Sequence, residues 1–278
     1  MGIGSMISVA WSGVVFEKDK PNRPSLTSMN LPLTSVSFPF NMKNGKVFYE
    51  VSGATVEAGK DQINGSSADW QGIQNFVAIR NDSCQVVFVS PEIPIMQLGD
   101  INLGRFSPVA VKPAPVIYSW VLNNYWTTNF LASQEGELKW TYQITSTADI
   151  SNDLAARFGW SNRVPMLNRV FPGNPEGSNG KPASYAFMNL IPENIILINS
   201  LPSADDHAVT FQLRETRGQK TVFNPSTLVK LPDLQGKPAQ RILSISEVNV
   251  LGDEITRLNG ECTVNPFETK FIKLAWNE

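Results

Sequence analysis

From residue 35 onward, short runs of apolar or alternating apolar and polar residues are cut at close intervals by Gly, Pro, Asn and Asp. That rhythm predicts strands at 35–38, 46–51, 75–79, 85–89 and 139–144, and again at 194–198, 208–214, 220–223, 241–245, 260–264 and 269–275. Proline cannot donate to a β-ladder, so Pro39, Pro91, Pro94, Pro108, Pro113 and Pro115 are expected at strand ends or edges. One helix is expected over 152–158, capped by Ser151 or Asn152 and stopped by Gly159. The architecture read from this pattern is all-β and antiparallel.

The stretch 171–182 is rich in Pro, Gly, Asn and Ser and has no periodic apolar face, so it reads as a long loop or linker. It divides the chain into a first β region (1–170), a linker (171–183) and a smaller C-terminal region (184–278). In the last, about six or seven short strands suit an immunoglobulin-like sandwich, without the Cys-Trp-Cys pinning of antibody domains. No internal repeat is visible.

The 278 residues are 42% hydrophobic and include 19 Gly and 19 Pro, enough chain for two β cores and the wrong composition for a helix bundle. With 23 basic and 25 acidic residues spread along the sequence, no electrostatic footprint for nucleic acid is present. No window approaches the roughly 18–20 apolar residues of a membrane span, and the first residues lack the pattern of a secretory signal. Cys84 opens the run 84–89, read as a buried strand, and Cys262 lies far away in sequence, so two buried free thiols are expected rather than a disulfide.

Chemistry is concentrated in the run 118–130, where Tyr118, Trp120, Tyr125, Trp126 and Phe130 are interleaved with Asn123, Asn124, Asn129 and hydroxyl side chains, and no residue is charged. Indole and phenol faces stack on the C–H faces of sugars, and asparagines match hydroxyls with donors and acceptors. The same residues would also serve as core. Candidate carbohydrate-binding residues are therefore Trp120, Asn123, Asn124, Trp126 and Asn129, with Arg157 as a partner for a hydroxyl or carboxylate. Strand alternation puts Asn123 and Tyr125 on one face and Asn124 and Trp126 on the other, so they cannot all meet one ligand.

Catalytic signatures are lacking. There is no nucleophile elbow, phosphate loop, dinucleotide fingerprint or zinc-ligand spacing. Glu92, Asp100, Glu135 and Glu137 are carboxylates of the kind a glycosidase pairs across its substrate, yet each stands in ordinary turn or surface sequence. His207, the single histidine, sits beside Asp205 and Asp206 in a loop, where adjacent residues rarely converge on one ion. No catalytic residue and no metal ligand is assigned.

A family resemblance rests on the order of several short motifs. These are Phe38-Pro39-Phe40, Asp61-Gln62, Asp69-Trp70, the run 94–99, Tyr118-Ser119-Trp120, Asn123 to Trp126, Thr128 to Phe130, Gln134 to Gly136, Arg157 to Gly159, Leu213 to Thr216 with Gly218, and Asn265 to Phe271. In this order, from about residue 35 to the end, the chain resembles the C-terminal half of family 38 glycoside hydrolases, the α-mannosidases. The resemblance implies a β-supersandwich of galactose-mutarotase-like type followed by a smaller β-sandwich. It also implies that the nucleophilic aspartate and the zinc held by His and Asp belong to an N-terminal α/β-barrel, so no cofactor is expected within this chain. The partners implied are a carbohydrate and that catalytic barrel, in the same or another chain.

Three functional expectations follow: the β-rich C-terminal part of an α-mannosidase-like hydrolase, inactive by itself; a stand-alone carbohydrate-binding or mutarotase-like protein; or an assembly module whose apolar face docks on a barrel.

Overall fold

The structure is a computed structural model that describes residues 7–12, 33–99, 106–110, 112–123, 138–164, 166–168, 186, 188, 192–203, 207–229 and 241–277. The chain divides into two compact units, Met1–Pro165 and Met166–Glu278.

In the first unit the described elements are β1 (Ile7–Ser12), β2 (Leu33–Pro39), β3 (Lys46–Val51), β4 (Ala54–Glu57), β5 (Gln71–Gly72), β6 (Val77–Arg80), β7 (Gln85–Val89), β8 (Ile95–Leu98), β9 (Val116–Asn123), β10 (Lys139–Thr147) and α1 (Asn152–Arg163). Among the described residues, one sheet has the order β1-β10-β7-β6-β3-β4 and a second has the order β2-β9-β8-β5, with every pairing antiparallel.

Alternation along the strands explains how the two sheets close on each other. Val47 and Tyr49 of β3, Val77 and Ile79 of β6, Phe88 of β7 and Tyr142 of β10 face Met96, Leu98 and Ile117 of the smaller sheet in one core. Phe38 of β2 ties the layers, with its ring centroid 4.8 Å from those of both Phe88 and Tyr142. The intervening residues Ala78, Val87 and Val89 point to the opposite face of the large sheet, where they pack with Phe76 against Ala155 and Ala156 of α1. The large sheet is thus covered by a sheet on one side and a helix on the other.

The helix differs from its sequence expectation at one end. Ser151 caps it as expected, its hydroxyl accepting the Leu154 N–H at 3.4 Å, but it runs through Gly159 to Arg163. Gly159 is buried in the middle, and a Cβ there would meet Phe76 and Asn75 at 3.1 Å. The glycine permits a close approach of helix to sheet; it does not terminate the helix.

Cys84 also departs from expectation: it is half-buried and lies in the turn before β7. The Asn81 side-chain oxygen accepts the N–H groups of Ser83 and Cys84, at 2.9 and 3.1 Å, so the turn ends only at Gln85. Both cysteines are free, and Cys262 is buried as expected.

The second unit contains β11 (Ile195–Pro202), β12 (Ala208–Glu215), β13 (Thr221–Phe223), β14 (Ile242–Val248), β15 (Glu254–Arg257), β16 (Cys262–Val264) and β17 (Thr269–Trp276). Among the described residues, the order β11-β12-β17-β14-β15 forms one antiparallel sheet and β13-β16 a second. Phe211, Leu213, Ile272 and Leu274 of the first sheet bury themselves against Phe223, Cys262 and Val264 of the second, making a smaller sandwich. The predicted linker, 171–183, lies outside the described residues.

Candidate functional site

The run singled out for its aromatic and amide side chains enters the structure through β9. Ile117, Ser119 and Val121 turn inward, while Tyr118 and Trp120 point away from the sandwich core. Pairing places Ser35 opposite Trp120, and Ser37 and Gln97 opposite Tyr118, so these residues share the outward face of the smaller sheet. Ser35 and Ser37 are exposed, whereas Gln97 is buried.

Trp120 is held firmly. Its indole N–H donates to the Leu122 carbonyl at 2.8 Å, and its ring lies against that of Trp70 with centroids 5.2 Å apart and planes inclined at 59°. Trp70 precedes the edge strand β5 and is 44% exposed. Sequence reading did not select Trp70, Ser35 or Ser37 as ligand-binding residues. Fifty positions separate the two tryptophans, and only the pairing of β5, β8 and β9 brings them together; the available signal was the appearance of Asp69-Trp70 among the family-like motifs.

The other expected residues do not join this face. Asn123 ends β9 opposite Leu33, and its side chain is outside the described residues. Asn124, Trp126 and Asn129 lie outside them as well, as do Asp100, Glu135 and Glu137. Arg157 is exposed on α1 and pairs with Asp153, one helical turn before it, at 3.6 Å. Because α1 covers the far side of the large sheet, Arg157 and Trp120 are separated by both sheets and the structure does not bring them together.

Beside β5 is a cavity of about 100 Å³ whose polar lining includes Gln62, Ser66, Ser67, Gln71 and Lys112. Gln71 is fixed there, its amide donating to the Ser67 carbonyl at 2.7 Å and accepting the Tyr49 hydroxyl at 3.2 Å. Among the described residues no carboxylate lines the cavity, and those that do line it offer hydrogen bonds and one cation.

The buried carboxylates elsewhere are structural. Glu50 accepts the Asn75 amide at 2.8 Å and the Trp160 indole at 3.1 Å, stitching α1 to the large sheet. Glu92, by contrast, is exposed, and accepts the Thr141 N–H at 3.0 Å. Arg80 is pressed over the Phe48 ring, 4.1 Å from its centroid, and donates to the Asn152 side chain at 2.7 Å; burial lowers its pKa to about 10. Among the described residues no three His, Cys, Asp or Glu side chains converge as a metal site, and the donor set for zinc is not assembled there. Nor is any described helix long and apolar enough to cross a membrane.

Two solved structures align with most of this architecture. An alpha-mannosidase from Enterococcus faecalis V583 matches with a TM-score of 0.60 over 86% of this chain, at 12% identity. The fold resembles that of part of this enzyme. A second structure, a glycosyl hydrolase family 38 protein from Enterococcus faecalis, matches with a TM-score of 0.57, also over 86% of this chain and at 12% identity. The chain spans only 25% and 26% of the lengths of those two proteins. No protein-family model matches the sequence, and no curated protein matches it in sequence. The two sandwiches are therefore a fold found within longer glycoside hydrolases, carried here by a divergent sequence.

Proposed function

We propose that this chain is the β-sandwich region of an α-mannosidase-like glycoside hydrolase, covering a catalytic barrel and shaping its carbohydrate cleft, and that it does not catalyse by itself. The observation that carries this reading is the fold match over 86% of this chain and 25% of an alpha-mannosidase. Two further features support it: among the described residues the lining of the cavity is uncharged apart from Lys112, and the Glu50 carboxylate is engaged in packing. A zinc ion and a carboxylate nucleophile would belong to the barrel and would act on the sugar there.

The reading is tested in two steps. The natural reading frame containing this sequence, or its neighbours, is expected to encode a barrel with His and Asp ligands. The purified chain is expected to leave aryl α-mannoside intact with or without added zinc, and to restore turnover only when combined with that barrel. Turnover by the chain alone, or a gene neighbourhood without a barrel, would overturn the proposal.

A second reading, a carbohydrate-binding protein able to work alone, is favoured by one observation: the contact between Trp120 and the half-exposed Trp70 on a sheet face whose described residues carry no charge.

A further inference from the structure

The outward face of the β2-β9-β8-β5 sheet has a composition that packing alone does not require. Among the described residues, Ser35, Ser37, Ile95, Gln97, Tyr118, Trp120 and Trp70 occupy it, Ile95 exposed and Gln97 buried, and none is charged. Trp70 exposes 44% of its surface although Trp120 offers it an aromatic neighbour. Trp120 is itself locked by its bond to the Leu122 carbonyl, so the pair presents an ordered ring that loses little freedom on meeting a ligand.

We propose that this face is a binding platform for a neutral pyranose, with Trp70 as the stacking surface and the hydroxyls of Ser35 and Ser37 as its polar rim. The inference deepens the carbohydrate reading above and does not require the barrel. Three properties fit a neutral sugar. An indole flank attracts the polarised C–H groups of a pyranose face, as it attracts other electropositive groups. Exposed serine hydroxyls both donate and accept, matching sugar hydroxyls without preferring an ion. The lack of charge among the described residues of this face argues against phosphate, nucleic acid and acidic peptides, each of which would call for Lys or Arg. Size also agrees: three strand spacings of about 5 Å separate Ser35 on β2 from Trp70 beside β5, so the row spans roughly 15 Å, the length of two or three pyranose rings.

The test titrates the full chain with methyl α-mannoside, methyl α-galactoside and α-linked mannobiose, followed by calorimetry and tryptophan fluorescence. At least one is expected to bind saturably. Trp70→Ala is expected to weaken that binding at least tenfold, and the double variant Ser35→Ala with Ser37→Ala several-fold, with thermal midpoint and oligomeric state unchanged in both. Should Trp70→Ala not fold, the exposed serine pair carries the test. No saturable binding to any of the three sugars would overturn the proposal, as would binding indifferent to these substitutions. A change of oligomeric state in Trp70→Ala without any sugar response would also overturn it, assigning the face to a protein contact. Because binding is read on this chain alone, the result is independent of whether a barrel restores turnover.

Discussion

The Glu215 carboxylate accepts the backbone N–H of Phe267 at 2.9 Å, joining the end of β12 to the turn before β17 across 52 residues of sequence. The same carboxylate accepts the N–H groups of Arg217 and Gly218 and the Asn194 amide, at 2.7, 2.8 and 2.9 Å. Glu215 is wholly buried, so four donors rely on one side chain where water cannot replace it. Glu215→Ala is expected to cost about 3–5 kcal/mol, because removing a buried acceptor leaves its partners desolvated and unpaired. Glu215→Gln keeps the shape and one oxygen and should cost about 1–3 kcal/mol. Urea unfolding of both variants checks the order; equal stability of Glu215→Ala and wild type would remove the carboxylate from its structural role.

Gly218 shares that junction under a second constraint. Its φ is +79°, and a Cβ there would lie 2.7 Å from the Phe267 ring. Phe267 is itself at φ 57°, so neither backbone is free to yield. Gly218→Ala should destabilise by about 1–3 kcal/mol through combined backbone strain and overpacking. Shortening the ring in Gly218→Ala with Phe267→Ala relieves the clash alone, so a double-mutant cycle by urea denaturation should report a coupling of about 0.5 kcal/mol or more. Strict additivity would exclude the contact as the cause.

The strands were legible where one face is core and the next residue is not, as in Lys46–Val51 and Thr269–Trp276. Where that contrast vanishes the signal vanishes with it. All four residues of Glu254–Arg257 are exposed, and the strand is held at the sheet edge by β14 alone, which apolar periodicity cannot report. The candidate site was half legible for a related reason. Trp120 was picked out by residue chemistry in its own segment, but Trp70 and Ser35 reach it through long-range pairing, and the distance of Arg157 from it follows from the location of α1, a tertiary fact no local signal carries. Motifs that pointed to a family proved in part to be structural: Glu215, Gly218 and Phe267 are one hydrogen-bonded junction.

Alkaline titration should weaken the first unit. Burial raises the phenol pKa of Tyr142 and of Tyr49, the latter with a further push from Asp61. Both folded values lie above the ordinary value of about 10, so the unfolded chain releases these protons first and binds fewer of them as pH rises. The stability that depends on keeping the phenols protonated is therefore intact below about pH 10 and is lost as pH climbs through the folded values. Unfolding midpoints measured upward from about pH 9 should decline, and Tyr142→Phe should decline less steeply than wild type. A wild-type slope matched by that variant would show that Tyr142 does not contribute.

The attachment of α1 depends on Glu50 as strongly as the smaller sandwich depends on Glu215. Glu50 is 1% exposed on β3, and its two oxygens accept from Asn75 and from Trp160 of the helix. Loss of the helix would uncover Phe76, Ala78, Val87 and Val89 on the large sheet, so the polar contact and the apolar seam reinforce each other. Trp160→Phe keeps most of the packing and removes one donor, and is expected to cost about 1–3 kcal/mol. Glu50→Ala leaves the indole and the Asn75 amide unpaired in the seam and should cost about 3–5 kcal/mol. Hydrogen exchange separates this arrangement from a general loss of stability. Amides of Asn152–Arg163 should lose protection before those of Val77–Arg80 in either variant, because the helix is anchored through this contact while β6 is paired on both sides. Simultaneous loss across helix and sheet would mean that Glu50 supports the whole sandwich and not the helix junction.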